Sequence, residues 1–344
     1  MKILLSALAM SLMLTANAQE HPVEIRFMKN IEFFGYLIEL GDPSDNDPNH
    51  PISKHIHQFP ENSTNETLFD IFTAAAHMDY TTLIHLMYYL PELPLNPNYE
   101  LPVQRARELG FEGAEDLDRI RSLVKKINTF YLESRFENIW ADLEPYRSET
   151  LSQLKAIKPS DGFMKEIERF YGTSFDQYEV VPSLTLWSGP GWGVTNSERK
   201  KATFILGPLK KNYVFRDDGF HTLAIHEFGH SFANPAVLQH SAQLEKTESL
   251  FLPVESEMIP QGYSDWETCV IEHFVRAGEV IVLAQLGNPA KSEELLNDYR
   301  DQRKFIYLDF VVERLREYRL EGKQDYQESV RATLSDLGKA YLKG

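Results

Sequence analysis

His226-Glu227-Phe228-Gly229-His230 is an H-E-x-x-H motif in a stretch that reads as a helix. Residues four apart on a helix stand one above the other, so both imidazoles can reach a single ion. Zn²⁺ accepts such nitrogen ligands, and Glu227 sits where it can take a proton from water at the metal. Asp217 and Asp218 supply an N-cap and an acidic first turn, and Pro235 predicts that the helix stops at Asn234. On a helical wheel Phe220, Ala224, Ile225, Phe228 and Phe232 share one broad face, with Thr222, Leu223, His226, His230 and Ala233 on the other. The aromatic face is expected in the core, leaving both histidines pointing into a cleft. Gly229 suits close approach of another backbone or a substrate. A buried helix whose histidines merely hydrogen-bond gives the same wheel, but leaves the intervening glutamate without a role.

Zinc needs a third protein ligand, and a catalytic site keeps its fourth position open. The stretch from Ser264 to Ala277 reads as a second helix containing two glutamates. Ser264 and Glu267 fit an S-x-x-E capping box, which gives Glu267 a structural role. Glu272 lies five residues on, too far round the wheel to share that face. Trp266, Val270, Phe274, Ala277 and Ile281 define the buried side, and Glu272, Arg276 and Glu279 form a polar stripe opposite. Glu272 is therefore the expected third ligand, with Arg276 either its ordinary i,i+4 ion-pair partner or the group that orients it. Glu267 and His273 are the fallback ligands.

The run from His226 to Pro235, H-E-F-G-H-S-F-A-N-P, with Glu272-His273-Phe274-Val275-Arg276-Ala277 some forty residues later, resembles a group of secreted bacterial zincin-like proteins. That group is catalogued mainly as a domain of unknown function and regarded as metallopeptidases. Its features H-E-F-x-H-S-F-x-N-P and E-x-x-V-R-A are both present, and the resemblance is good over about residues 160–280. It implies an α+β, zincin-type fold, with His226, His230 and Glu272 as metal ligands and Glu227 as the base. It supplies no substrate. A metzincin-type third histidine is excluded, because no H-x-x-G-x-x-H continuation follows.

The first residues carry Lys2, an apolar run from Ile3 to Leu14 and Ala16-Asn17-Ala18, which reads as a cleavable signal peptide over 1–18. The run is too short to span a bilayer, so a secreted or periplasmic protein without a membrane anchor is expected. Roughly 325 residues remain, enough for one large domain or two packed lobes. The expected division is a helical N-terminal subdomain over 19–158 and a catalytic subdomain over 159–344. Cys269 is the only cysteine, so no intrachain disulfide forms, and a 42 % hydrophobic, 12 % aromatic composition must hold the fold. The formal net charge of −16 argues against nucleic acid as a partner. A monomer acting on a peptide or protein is expected.

Along the first half, Val23–Phe27 reads as a short strand and Ile31–Leu40 as a helix or strand. Gly41 to Pro60 reads as a polar loop in which His50, His55 and His57 are exposed, although His55 and His57 could share one face of a strand. A Ser63–Glu66 capping box opens a helix to His77, and Thr81–Leu90 is another. Prolines 91, 94, 97 and 102 mark an extended connection, Ala114–Leu143 keeps a helical pattern that Pro145 ends or kinks, and Arg147–Ile157 follows as a helix. The β signal lies between Phe175 and Phe215. Tyr178–Leu186 is a strand that Pro182 places at an edge or splits, Ala202–Leu206 is the candidate substrate-pairing edge, and Tyr213–Phe215 is a possible third. Trp187 to Gly193 reads as a glycine-rich turn.

Together these parts predict a zinc metallopeptidase in which Glu227 shuttles the proton. Tyr263 or His240 is the candidate donor to a developing oxyanion. A hydrolase of another amide, in cell-wall peptide or modified glycan, and a non-catalytic binding protein with a retained metal site are the alternatives. The intact Glu227 favours catalysis over the last.

Overall fold

The computed structural model describes residues 23–41, 50–186, 191–198, 200–209, 215 and 219–342. The signal-peptide segment, the Asp217–Asp218 cap, Trp187–Pro190 and residues Tyr213 and Val214 lie outside the described residues. The chain is α+β, largely helical with one small sheet. Strand β1 (Val23–Ile25) leads into α1 (Lys29–Gly41), α2 (Pro51–Gln58), α3 (Glu66–Ala75) and α4 (Tyr80–Tyr89). Next come α5 (Val103–Glu108), α6 (Ala114–Glu133), α7 (Phe136–Asp142), α8 (Glu144–Ala156) and α9 (Asp161–Tyr171). Strands β2 (Gln177–Pro182), β3 (Gly191–Asn196) and β4 (Lys201–Leu206) precede α10 (Phe220–Leu238), the motif helix. The rest is α11 (Ser241–Thr247), α12 (Glu255–Met258), α13 (Trp266–Gln285), α14 (Pro289–Asp301), α15 (Leu308–Leu315) and α16 (Tyr326–Tyr341).

The sheet order is β1-β2-β4-β3, with β3 antiparallel to β4 and the other pairs parallel. This corrects two expectations. β2 is an interior strand, and Pro182 is tolerated because it is the last residue, after which Ser183 N–H bonds the Leu206 carbonyl at 2.8 Å. β4 is interior too. The edge beside α10 is β3, whose sequence, Gly191-Trp192-Gly193-Val194-Thr195-Asn196, hides a strand inside what reads as a turn.

One face of the sheet packs on α10, where the Phe228 ring meets those of Tyr178 at 5.5 Å and Phe204 at 6.1 Å. The opposite face carries a buried ionic cluster. Glu179 accepts from Lys201 Nζ at 2.8 Å and pairs with Arg26, while Thr203 bonds Tyr88 of α4 at 2.8 Å. One hydrophobic core cluster takes in buried residues from Val23 to Leu337.

Several local readings change. α10 runs through Pro235 to Leu238 and does not stop at Asn234. Proline inside a helix costs about 3 kcal/mol or more, but Pro235 lies on the exposed side while Ala236 and Val237 bury and hold the last turn. Neither capping box forms. Asp265 caps α13 by accepting from Thr268 N–H at 2.8 Å, and Asn65 caps α3 through Thr67 N–H at 2.7 Å. The supposed loop up to Pro60 contains α2, with His50 as its N-cap. His50 and His55 are buried and only His57 is exposed. Pro145 starts α8 in the first turn, where its missing N–H costs nothing, and the preceding helix breaks earlier, at Arg135 with φ 55°.

α10 and α13 pack directly together. Gly229 and Gly278 face each other across the Tyr171 hydroxyl: a Cβ on Gly229 would stand 2.9 Å from that oxygen, and one on Gly278 would overlap it. Tyr171 cannot yield, because it is fully enclosed and stacked on Phe232 at 4.6 Å, with Tyr326 at 4.8 Å. Gly278→Ala is therefore expected to destabilise by about 1–3 kcal/mol through overpacking, overriding the roughly 1 kcal/mol that alanine normally gains in a helix. Tyr171→Phe removes the clashing oxygen, which itself has no hydrogen-bond partner among the described residues. Denaturant midpoints should show the double variant recovering most of the loss. A single-variant midpoint equal to wild type would refute this packing argument.

Candidate metal centre

α10 brings His226 and His230 to one side, and α13 brings Glu272 to meet them. One ligand atom from each lies within 4.8 Å of the others. His230 Nε2 stands 3.3 Å from Glu272 Oε1, and His226 Nε2 stands 3.7 Å from Glu272 Oε2. Two donors each about 2.0–2.1 Å from a tetrahedral zinc would be roughly 3.3–3.4 Å apart, so the spacing suits one shared ion. Glu272 Oε2 is buried and accepts no well-formed hydrogen bond among the described residues, its near neighbours being the Arg276 guanidinium at 3.1 Å and His226 Nε2. The donor set, two imidazoles and one carboxylate, is one that could hold a divalent metal ion.

The nitrogens that face away from the cluster are held. His226 Nδ1 is 3.1 Å from Glu279 Oε2, which also accepts from Tyr299 Oη at 2.7 Å. His230 Nδ1 is 3.1 Å from Asn234 Oδ1. An Nδ1–H donated to these oxygens leaves Nε2 of each ring as the nitrogen that faces Glu272. Arg276 Nη2 is 3.1 Å from Glu272 Oε2 and donates to Tyr263 Oη at 2.8 Å, while its guanidinium stacks between Tyr299 and Phe305 at 4.4 and 4.6 Å. Arg276 thus both pairs with Glu272 and fixes it.

The charges follow from this arrangement. Burial opposes ionisation of Glu272, but Arg276 and the two imidazoles hold its pKa well below the ordinary range. Burial likewise opposes protonation of His230, and the adjoining Glu272 outweighs it, raising that ring to about 9. Glu227 is buried beside the ligands, and desolvation raises its pKa, the direction a proton acceptor working near neutrality needs. β3 lies against it: a Cβ on Gly191 would be 2.6 Å from Glu227 Oε1, and one on Gly193 would overlap the Glu227 carbonyl. Only glycine lets the strand come this close.

His226, Glu227, His230, Glu272 and Arg276 are therefore together. The fallback ligands are not: Glu267 is exposed in the first turn of α13, and His273 turns away, its Nδ1 2.7 Å from the Cys269 carbonyl and its ring against Phe305. His240 is displaced from the site. It sits beyond the end of α10, about 15 Å of helical rise past His230, and neighbours Glu328. Tyr263 is near, but its hydroxyl is engaged by Arg276 and, at 3.4 Å, by Arg303. Sequence reasoning passed over Asn234 and Glu279 as metal-site groups. Asn234 follows His230 by four residues and Glu279 follows Glu272 by seven, so both spacings carried the signal.

No curated protein and no solved structure matches the chain. A family model does match, over residues 97–333, a span wider than the motif resemblance and one that contains His226, His230 and Glu272 together with Asn234, Arg276 and Glu279. The chain belongs to the family described as Domain of unknown function (DUF4932).

Proposed function

We propose that this protein is a secreted zinc-dependent peptidase with a zincin-like fold. The observation that carries the proposal is the convergence of His226, His230 and Glu272 with the buried Glu227 carboxyl beside them. The fold reading is supported by an antiparallel edge strand lying along the H-E-x-x-H helix and by a second helix delivering the carboxylate. Zinc at this position supplies a Lewis acid that polarises a carbonyl and lowers the pKa of water. Glu227 takes the proton from the attacking water and returns it to the leaving nitrogen. Glu279, Asn234 and Arg276 keep the three ligands aimed, so little reorganisation is required. An ion held only for structure has no use for a desolvated carboxyl next to it, which favours catalysis over a non-catalytic metal site.

Zinc titration with a pH dye, followed by incubation with a random peptide mixture, tests the reading. At pH 7 the metal-free site holds a proton on His230, so zinc should release about one proton on binding, and its apparent affinity should climb as pH rises toward 9. New peptide termini should then appear in a chelator-sensitive way. A protein that binds zinc but cleaves no peptide would sink the peptidase assignment. Cleavage confined to cell-wall peptides would redirect it to another amide.

A further inference from the structure

We infer that Tyr89 and His85 of α4 are specificity-determining residues that close the outer edge of β3, so that the site admits short peptides or chain ends and not the interior of an extended chain. The inference rests on the peptidase reading. In an antiparallel ladder the backbone groups of alternate residues point outward, away from the partner strand. Tyr89 Oη donates to the Thr195 carbonyl, which places Thr195, and by a period of two Gly193 and Gly191, in the outward set. His85, one helical turn before Tyr89 and largely buried, lies beside the Gly193 backbone. Past Thr195, Arg105 stacks on the Tyr89 ring at 4.0 Å and pairs with Glu198 at 3.0 Å, continuing the cover. α4 is braced from beneath, since Tyr80 packs on Trp192 at 5.5 Å and Tyr88 bonds Thr203.

Among the described residues, what the edge still offers is Gly191, and Gly191 is the residue against the Glu227 carboxyl. A peptide backbone laid along β3 can pair there and then meets the α4 side chains. Main-chain pairing is how an edge strand gives an extended peptide its affinity, so a long chain gains nothing from its extra residues and must bend away.

The test uses the zinc-loaded full chain with Glu227→Gln, so that peptides bind without turnover, and a fluorescent tripeptide and decapeptide library read by anisotropy. The tripeptide is expected to bind at least as tightly as the decapeptide. Adding Tyr89→Ala, which removes both the ring and its hydroxyl from the Thr195 carbonyl, and separately His85→Ala, should shift the ratio toward the decapeptide by about tenfold, roughly 1.4 kcal/mol. Tyr89→Ala alone decides the matter if His85→Ala fails to fold. A decapeptide already tighter without these changes, or a ratio that neither substitution moves, overturns the inference and leaves the peptidase reading standing. No binding of either peptide, together with no cleavage by the wild type, overturns both.

Discussion

Glu227→Gln is expected to keep zinc and lose hydrolysis, by a factor on the order of 10²–10⁴ in turnover. Glutamine has the same shape and fits against β3, where Gly191 leaves room for the side-chain oxygen. It is not a metal ligand, so zinc content should match wild type. The change should also stabilise the protein at neutral pH. Desolvation raises the folded pKa of Glu227 above its unfolded value, so the folded state binds the proton more tightly and stability falls as pH rises through that interval. At pH 7 the carboxylate is therefore a cost that the amide removes. Zinc analysis, peptide turnover and thermal melts at pH 7 check all three statements. Full turnover in the variant would eliminate the role assigned to the carboxyl.

Glu272→Ala should lose zinc on dialysis, while Glu267→Ala should retain it. Glu272 contributes the only carboxylate of the cluster, and Glu267 is exposed one and a half turns away on the same helix. Removing Glu272 also strands Arg276, which is 3 % exposed. Breaking a buried pair in this way costs about 3–5 kcal/mol, with the Tyr263 bond and the aromatic stack placing this case toward the low end. Glu272→Gln, which keeps the shape, separates the loss of metal from the loss of stability. Exposed Glu267 should move stability by no more than about 0.5 kcal/mol. Equal zinc content in the alanine variants at 267 and 272 would remove Glu272 from the ligand set.

The candidate metal cluster was legible because its information is local. Two imidazoles at i and i+4 meet on any helix, and Glu272 with Arg276 repeats the same spacing on the next long helix. The aromatic face of α10 was equally plain, and Phe220, Phe228 and Phe232 are all buried. What the sequence concealed depends on long-range pairing. β3 has two glycines and no hydrophobic run, so its strand character comes from β4 alongside it and from contact with Glu227 and His230. That β4 is interior follows from strand order, which no local pattern encodes. The caps moved by one or two residues because aspartate and asparagine neighbours, Asp265 and Asn65, outcompeted the serines.

The family match begins at residue 97, yet β1 stands seventy residues earlier and supplies the outermost strand beside β2. A recombinant fragment trimmed to the matched span would strip β2 of Val23, Glu24 and Ile25, exposing a row of unsatisfied amides and carbonyls. Such a bare strand is a template for self-association. Arg26 would depart with it, leaving the enclosed Glu179 with one cation fewer. Expression boundaries drawn from the family alone would thus invite insoluble material, and its failure to turn over peptide would say nothing about the catalytic chemistry.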